Sequence, residues 1–327
     1  MDAAHAFDLI DRIVCTDLGG RGVTGLFPPA RAMTDGPICK AAAEKLATLQ
    51  RGDHVFIVTG SLTRATVRDS IAENDGPIGS AVLAYALARA GGAVPVILVD
   101  QSITPAVARM VQYAGLNVVD ADQARIAAAL PRFTGVAVME HSVVDAEAAK
   151  QRARELIDTF APKVVVACER AGMTADGTYR NALGQDYSEG REKLDFVFDE
   201  AQRRDIPTIG IGDGGNEIGM GAVKAAVHEH VPSGDVLCAE LATDILIPAG
   251  VSNWGCYGIA AALAILNSDI TLAHTAQREV RLIEASPLAG LVDGTTGLLD
   301  ATVDGMPAEV HASVVELLSD VVRRTLA

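Results

Sequence analysis

Short runs rich in Val and Ile, separated by helical segments, constrain the fold of this chain more than any other feature. Examples are residues 55–58, 94–99 and 208–211, which are apolar almost throughout. Strands of this kind are typical of a parallel sheet that helices cover on both faces. No low-complexity linker divides the chain. The pattern therefore predicts an α/β fold, a doubly wound and mostly parallel sheet, as a single domain over residues 1–327. In addition, residues 270–327 could form a small C-terminal helical cap.

Three local predictions accompany this pattern. Residues 21–36, which are rich in Gly and Pro, are expected to form a connector between helices. Ser188 is expected to cap a helix with an apolar face formed by Leu194 and its neighbours. Residues 236–238 are expected to form a strand.

The densest glycine stretch begins in the predicted strand 208–211. Residues 210–221 hold six glycines together with Asp213, Asn216 and Glu217. Inside a helix or strand each Gly costs roughly 0.5 to 1 kcal/mol relative to Ala, so a regular element is not expected here. Ligands bind beyond the carboxyl ends of the strands in an open parallel sheet. The stretch is therefore predicted to be a ligand-facing loop.

Other predicted strands also end in polar loops. These loops are Thr59, Gly60 and Ser61 after 55–58; Glu169 and Arg170 after 163–168; and residues 250–255, with Ser252 and Asn253, after 245–247. If the strands are parallel, the loops converge on one crevice. Neighbouring residues of a strand point to opposite faces, so at most one of Glu169 and Arg170 is expected in it. Glu73 and Asp75 would add carboxylates, although Asp before Gly-Pro is also an ordinary helix start.

Asp213 and Glu217 are suited to two chemistries. They could be a general base with an orienting group, or two oxygen ligands for Mg²⁺ or Mn²⁺. Asp213 could also form a turn, and Glu217 could lie at a helix N-terminus, but the glycine density at a strand end favours function. Residues 212–217 lack the dinucleotide signature in its βαβ context and the P-loop signature. Neither NAD nor ATP is therefore expected.

Charge and cysteine usage narrow the possible partners. The net charge is −15 and the pI about 4.8, which argues against nucleic acid or an anionic membrane as a partner. The five cysteines form no C-x-x-C pair, so reduced thiols in the cytoplasm are expected. Neither a signal peptide nor a membrane span is expected. A small-molecule substrate is the expected partner. The sequence leaves open whether the chain forms a homo-oligomer.

Together these residues resemble the C-terminal, catalytic-type domain of D-glutamate cyclase. The resemblance covers nearly the whole chain. It rests on GIGDGGNEIGMG at 210–221, GVSNWG at 250–255, ERAG at 169–172, DGTY at 176–179 with Asn181, VTG at 58–60 and DGPIG at 75–79. One departure is Cys256, where the resemblance leads us to expect Gly. The longer animal members look like a fusion with an N-terminal hydro-lyase-like domain, which leaves the exact substrate open.

The resemblance implies a hydro-lyase that closes D-glutamate to 5-oxo-D-proline with loss of water. On this basis Glu217 or Glu169 is the expected general base. The donors expected to hold the oxyanion are the backbone amides of Gly214 and Gly215 with the side chain of Asn216 or Asn253. A lactam hydrolase or lyase acting on a related amino or hydroxy acid, and a non-catalytic small-acid-binding domain, are the alternatives.

The same resemblance implies how the substrate is held. Arg170 or Lys224 is expected to bind the α-carboxylate. Thr59, Gly60, Asp75 and Ser252 are expected to line the substrate site. A divalent ion, Mg²⁺ or Mn²⁺, is left open as a cofactor, and Asp213 and Glu217 are its expected ligands if the reaction uses one.

Overall fold

The computed structural model describes residues 1–64 and 66–327 and contains a seven-stranded sheet in which every neighbouring pair is parallel. The strands of this sheet are β1 (His54–Thr59), β2 (Val94–Leu98), β3 (Asn117–Val118), β4 (Val136–Glu140), β5 (Val165–Cys168), β6 (Thr208–Gly212) and β7 (Ile245–Pro248). Their order is β3-β4-β2-β1-β5-β6-β7. A separate antiparallel hairpin joins β8 (Thr302–Val303) to β9 (Met306–Pro307).

Helices pack around the sheet, which confirms the predicted α/β class. They are α1 (Ala3–Val14), α2 (Val23–Arg31), α3 (Ile38–Leu46), α4 (Pro77–Gly91), α5 (Thr104–Ala114), α6 (Ala121–Ala129), α7 (Ala146–Phe160), α8 (Asp195–Arg203), α9 (Lys224–His230), α10 (Gly234–Leu237), α11 (Ser252–Leu266), α12 (Ala276–Ala289) and α13 (Ala308–Leu326). Two apolar clusters fill the core. They divide the side chains of single strands between them, as Ile57 and Val58 of β1 show, which is the alternation expected of a sheet covered on both faces.

The strand order reverses at β1, which lies between β2 and β5. Strand register places the ends of the central strands together: Thr59 pairs with Cys168, Cys168 with Ile211, and Gly212 with Pro248. The loops that follow these strands therefore leave from one edge of the sheet. Such a reversal point is where ligands bind in open α/β sheets.

Helix α11 is buried from Ser252 to Ile265. A helix that is apolar on all sides belongs inside a protein, and α11 packs against α1, α3, α4 and α13. Close approach depends on small residues: a side-chain carbon on Gly79 of α4 would lie 2.6 Å from the Cα of Asn253. This packing brings the first turn of α11 to the carboxyl edge of the sheet.

Three local predictions were wrong. Residues 21–36 contain helix α2, whose Val23, Leu26 and Ala30 are buried although Pro28 and Pro29 lie within it. Ser188 does not cap a helix, because its hydroxyl accepts a hydrogen bond from Tyr179 N and α8 begins only at Asp195.

The third error concerns residues 236–238. Residues Gly234–Leu237 form α10, in which Leu237 is buried and Val236 is exposed. The apolar run is too short to indicate which element it belongs to.

Residues 270–327 form α12, the β8–β9 hairpin and α13, which pack on α1, α4, α5 and α11. Within the described ranges, no helix combines the length and the apolar character that crossing a bilayer would require.

Candidate active site

Carboxyl groups from separate parts of the chain meet at the carboxyl edge of the sheet. The carboxylate cluster, as we name it, consists of Glu73, Asp75, Glu169, Asp213, Glu217 and Asp304. One oxygen from each of Asp75, Asp213 and Asp304 lies within 4.8 Å of the others, and the same holds for Glu169, Asp213 and Glu217. So many acids at one place cannot all be ionised without cations to offset them.

Burial raises the pKa of several members of the cluster. It is the main cause for Asp75, Glu169 and Asp213, each of which has its pKa raised well above the ordinary value, and neighbouring carboxylates add to the effect. Burial, followed by the charge of Asp304, raises the pKa of Glu73 to about 7. The site therefore holds one carboxyl group, that of Glu73, that can exchange protons near neutral pH, beside others whose pKa values are also raised.

Arg21 is the cation at the centre of the cluster, and sequence reasoning missed it. Its Nη1 lies 2.5 Å from Asp213 Oδ2 and its Nη2 lies 3.0 Å from Asp304 Oδ1. Asp17 holds the loop in place, because its carboxylate accepts hydrogen bonds from the backbone amides of Arg21, Gly22 and Val23 at the start of α2. The charge of Asp213 is the main reason why the pKa of Arg21 is raised.

Glu217 is enclosed by its own loop. Its Oε1 accepts hydrogen bonds from the amides of Asp213 (3.0 Å) and Gly214 (2.6 Å), and its Oε2 accepts one from Gly215 (2.8 Å). A side-chain carbon on Gly212 would lie 2.8 Å from the Glu217 carboxyl group. The glycines thus let the loop fold around Glu217, and these amides are not free for an oxyanion or a phosphate.

Asp75 connects two helix N-termini. Its carboxylate accepts hydrogen bonds from the amides of Gly76, Ser252 and Asn253. Asn253 Oδ1 in turn accepts from the amides of Gly76 and Gly79. The side chain of Asn253 therefore joins α11 to α4 and is not directed to an open space.

Glu169 follows β5 with a φ of 48°, in the left-handed region that non-glycine residues seldom adopt. Its Oε2 accepts a hydrogen bond of 2.6 Å from Ser252 Oγ. The turn separates Glu169 from Arg170: Glu169 joins the cluster, while Arg170 is buried away from it.

Arg170 is engaged by other groups through both of its Nη atoms, and its Nε lacks an acceptor among the described residues. Its guanidinium binds the carboxylate of Asp100 and donates to the carbonyl oxygens of Gly60 (3.1 Å) and Glu192 (2.6 Å). Lys224 is also outside the cluster, since it pairs with Glu240 at 2.5 Å.

Asn216 uses its side-chain amide to donate to Arg180 O at 2.9 Å. The structure thus brings Asp75, Glu169, Asp213, Glu217, Ser252 and Thr59 together. Arg170, Lys224, Asn216 and Asn253 have partners elsewhere.

Two polar atoms at the cluster lack a hydrogen-bond partner among the described residues: Thr59 Oγ1 and Asp304 Oδ2. Thr59 is fully buried, and the Asp304 side chain is 6% exposed. A side-chain carbon on Gly76 would lie 2.8 Å from Thr59 Oγ1 and 2.7 Å from Glu169 Cβ, so Thr59 and Glu169 flank the same glycine. Buried polar atoms are nearly always paired, so these two atoms indicate a place for a polar ligand.

Asp304 comes from the β8–β9 turn and was also missed from sequence. The turn is fixed by His311 Nε2, which lies 3.2 Å from Val303 O, and by Asn74 Nδ2, which donates to Thr302 O at 2.7 Å. His311 Nδ1 also accepts from Trp254 Nε1 of α11 at 3.0 Å. An Asp-Gly pair after a short apolar run is a turn signal, but it does not indicate what the turn approaches.

Two comparisons with known proteins point to the same family. The model of the family described as "D-glutamate cyclase-like, C-terminal" matches residues 10–319. The chain is 29% identical over 348 residues to the human protein "D-glutamate cyclase, mitochondrial", and the alignment covers 98% of this chain and 52% of that protein. The chain thus spans about half the length of this relative. A solved structure titled "Crystal structure of gox2181" is 15% identical and covers 86% of this chain and 94% of that chain, but its TM-score of 0.28 is too low to inform the fold.

Proposed function

Because the chain belongs to the D-glutamate cyclase-like family, we propose that it is an enzyme that closes D-glutamate to 5-oxo-D-proline with release of water. The observation that carries this proposal is the buried carboxylate cluster, in which several pKa values are raised and Arg21 is the central cation. An α-ammonium group would supply the positive charge that these acids lack. The same acids could then move its protons.

The reaction moves two protons from nitrogen to oxygen. The α-ammonium loses one proton, the amine attacks the γ-carboxyl carbon to form the C–N bond, and the nitrogen loses a second proton. One carboxyl oxygen takes up both protons and leaves as water. Carboxyl groups whose pKa values are raised by burial, among them Glu73 with a pKa of about 7, are suited to both transfers.

We assign the role of base to Glu169. Ser252 Oγ fixes its orientation, and burial raises its pKa toward that of an ammonium group, which makes the proton transfer less unfavourable. The alternative base, Glu217, is held by three amides, which favours a role in shaping the loop. Glu73, with a pKa of about 7, is the proposed acid for the leaving oxygen.

The proposed oxyanion donor is Thr59. Its hydroxyl lacks a partner among the described residues, whereas the amides of Gly214 and Gly215 donate to Glu217. Donors that are fixed before the reaction stabilise developing charge most effectively. A free buried hydroxyl beside Glu169 meets this requirement.

We also propose where a divalent ion would bind if the reaction uses one. The ligands that fit Mg²⁺ or Mn²⁺ best are Asp75, Asp213 and Asp304, because their oxygens converge and Asp304 Oδ2 is unpartnered in the described structure. Glu217 belongs to the other group of converging oxygens, with Glu169 and Asp213, and that group includes no buried oxygen without a partner in the described residues. A bound ion would polarise the γ-carboxyl group.

The decisive experiment incubates the purified protein separately with D-glutamate, L-glutamate and each enantiomer of 5-oxoproline, with Mn²⁺ or with EDTA. We expect conversion of D-glutamate to 5-oxo-D-proline. Hydrolysis of 5-oxoproline without detectable cyclisation would support a lactam hydrolase instead. Saturable thermal stabilisation by D-glutamate without any product would support a binding domain.

Two variants test the assignment of roles. Glu169→Gln and Asp213→Asn should each lower turnover by about 10²- to 10⁴-fold without unfolding the protein. Lys224→Gln, which changes an exposed residue paired with Glu240, is the control and should keep full turnover. Normal turnover in both acid variants would contradict the mechanism.

A further inference from the structure

Arg191 is a buried guanidinium without an acidic partner. Its side chain is among the largest that are fully buried, at 1% exposure, and it forms no salt bridge with any described residue. Its Nε donates to Tyr187 O at 3.0 Å, its Nη2 donates to Leu62 O, and its Cζ lies 3.5 Å from the centre of the Tyr187 ring. Its Nη1 has no acceptor within the described ranges.

This state is unfavourable unless a ligand relieves it. A buried charge without a counter-ion costs several kcal/mol, and burial is the main cause that lowers the pKa of Arg191. Arg170 provides the contrast, because it is equally buried but binds Asp100 through two nitrogens. One of two neighbouring buried arginines is therefore paired and the other is not.

Arg191 lies beside the carboxylate cluster. Its charge and that of Arg21 both lower the pKa of Glu73. The backbone connects them as well: the amide of Glu73 donates to Ser61 O at 3.1 Å, and Arg191 donates to the carbonyl of the next residue, Leu62. The spare donor is thus at the edge of the site where protons are exchanged.

We propose that Nη1 of Arg191 binds the α-carboxylate of the substrate, the group that does not react and that the product retains. This inference rests on the proposed function. The ammonium and the γ-carboxyl group must meet at the acids, whereas a spectator carboxylate would be repelled by them. The other nearby cations are engaged, Arg21 by Asp213 and Asp304 and Arg170 by Asp100. Arg191 is the one without an acidic partner among the described residues; Arg170 Nε also lacks an acceptor, but the guanidinium of Arg170 is already paired with Asp100.

The test compares two substrates in two proteins. D-Isoglutamine carries an amide in place of the α-carboxylate but keeps the ammonium and the γ-carboxyl group. We expect Arg191→Met to lower kcat/KM for D-glutamate by about 100-fold, as truncation of a buried charged partner does. It should change kcat/KM for D-isoglutamine less than about threefold, so the preference for D-glutamate disappears.

The outcomes separate the possible failures. An equal loss for both substrates would mean that Arg191 has only a structural role, and no loss would mean that the carboxylate binds elsewhere; either overturns the inference while the proposed function stands. If the wild-type protein does not convert D-glutamate, the proposed function itself has failed. If Arg191→Met does not fold, Arg191→Lys replaces it in the test. We expect the same selective loss of kcat/KM for D-glutamate, because a lysine cannot donate to the carbonyls of Tyr187 and Leu62 and to a ligand at once.

The matched control is Arg180→Met. Arg180 lies, like Arg191, in the loop between β5 and α8, and it pairs with the exposed Asp176 at 3.0 Å. This variant therefore also loses one positive charge. Both substrates should keep their wild-type kcat/KM. A selective loss of D-glutamate turnover in this variant as well would point to long-range charge and overturn the assignment to Arg191.

Discussion

Two regions meet at the edge of the sheet and differ in how completely their polar atoms are bonded. In the saturated region, formed by Asp100, Arg170, Glu192 and Glu217, both oxygens of every carboxylate accept hydrogen bonds, and Arg170 Nε is the one buried side-chain atom of these four residues without a partner in the described structure. In the unsaturated region, formed by Thr59, Glu73, Arg191 and Asp304, three side chains carry a buried atom without a described partner and the fourth has its pKa raised to about 7.

The difference separates folding from function. Removing one partner of a buried charge pair leaves the other charge buried and unpaired, which lowers stability. A polar atom without a partner lowers stability in the absence of ligand and is retained where a ligand satisfies it. Substitutions in the two regions should therefore change stability in opposite directions, as the following predictions test.

The largest effect is expected from Arg170→Met. This change leaves the carboxylate of Asp100, which is 2% exposed, without its guanidinium. We expect a loss of about 3–5 kcal/mol in the free energy of unfolding, measured by chemical denaturation. Asp100→Asn combined with Arg170→Met should recover part of the loss, because neither charge of the Asp100–Arg170 pair is then present. A single variant as stable as wild type would contradict the division into two regions.

The next largest loss in the free energy of unfolding is expected from Glu217→Gln. The substitution replaces one of two oxygens that accept amide hydrogen bonds with an NH₂ group, which cannot accept them. We expect a loss of about 1–3 kcal/mol.

Glu169→Gln is the isosteric control for Glu217→Gln. Glu169 accepts from Ser252 Oγ, and burial raises its pKa well above the ordinary value, so this variant should be as stable as wild type or more stable at pH 7. Equal destabilisation of the two variants would remove the distinction between Glu217 and Glu169.

Much of the fold could be predicted from sequence because buried strands and periodic helices leave local patterns. The strands predicted at 55–58, 94–99, 163–168, 208–211 and 245–247 have bounds within two residues of those of β1, β2, β5, β6 and β7. Helix α2 was missed because Pro28 and Pro29 oppose it locally, while packing of α2 against α9 and β7 favours it. Tertiary contacts outweighed local preference there.

The site could be predicted only in part. Thr59 ends β1, and Glu169 and Asp213 directly follow β5 and β6, so the strand-end rule finds them; it also finds Ser252, which begins α11 after the loop that follows β7. Arg21 and Asp304 come from segments that follow no strand of the sheet, and Arg191 lies near the far end of the long loop between β5 and α8, so only the folded chain brings them close. The sequence also does not show which hydrogen bonds a carboxylate accepts. Glu217 accepts from backbone amides of its own loop, whereas Glu169 accepts from the Ser252 hydroxyl, and this difference in partners distinguishes the two residues.

Glu73→Gln should stabilise the protein in a pH-dependent way. The pKa of Glu73 is raised from 4.5 to about 7, so between these pH values the folded state binds more protons than the unfolded state. Stability is therefore lost as the pH rises through this window. The variant should gain on the order of 2 kcal/mol at pH 8 and nothing at pH 4. A gain that does not change with pH would mean that the titration of Glu73 is not its cause.

The smallest effect on stability is expected from Thr59→Val, which replaces a buried hydroxyl with a methyl group of similar shape. Because Thr59 Oγ1 has no partner in the described chain, the free energy of unfolding should change by less than about 1 kcal/mol. Turnover should nevertheless fall about 100-fold if this hydroxyl stabilises the oxyanion. Ser80→Ala is the matched control, because Ser80 Oγ is also buried without a described partner but belongs to helix α4. If turnover is equally affected in both variants, or in neither, an unpartnered hydroxyl at the sheet edge has no special role, and the unsaturated region would be a feature of packing instead of a ligand site.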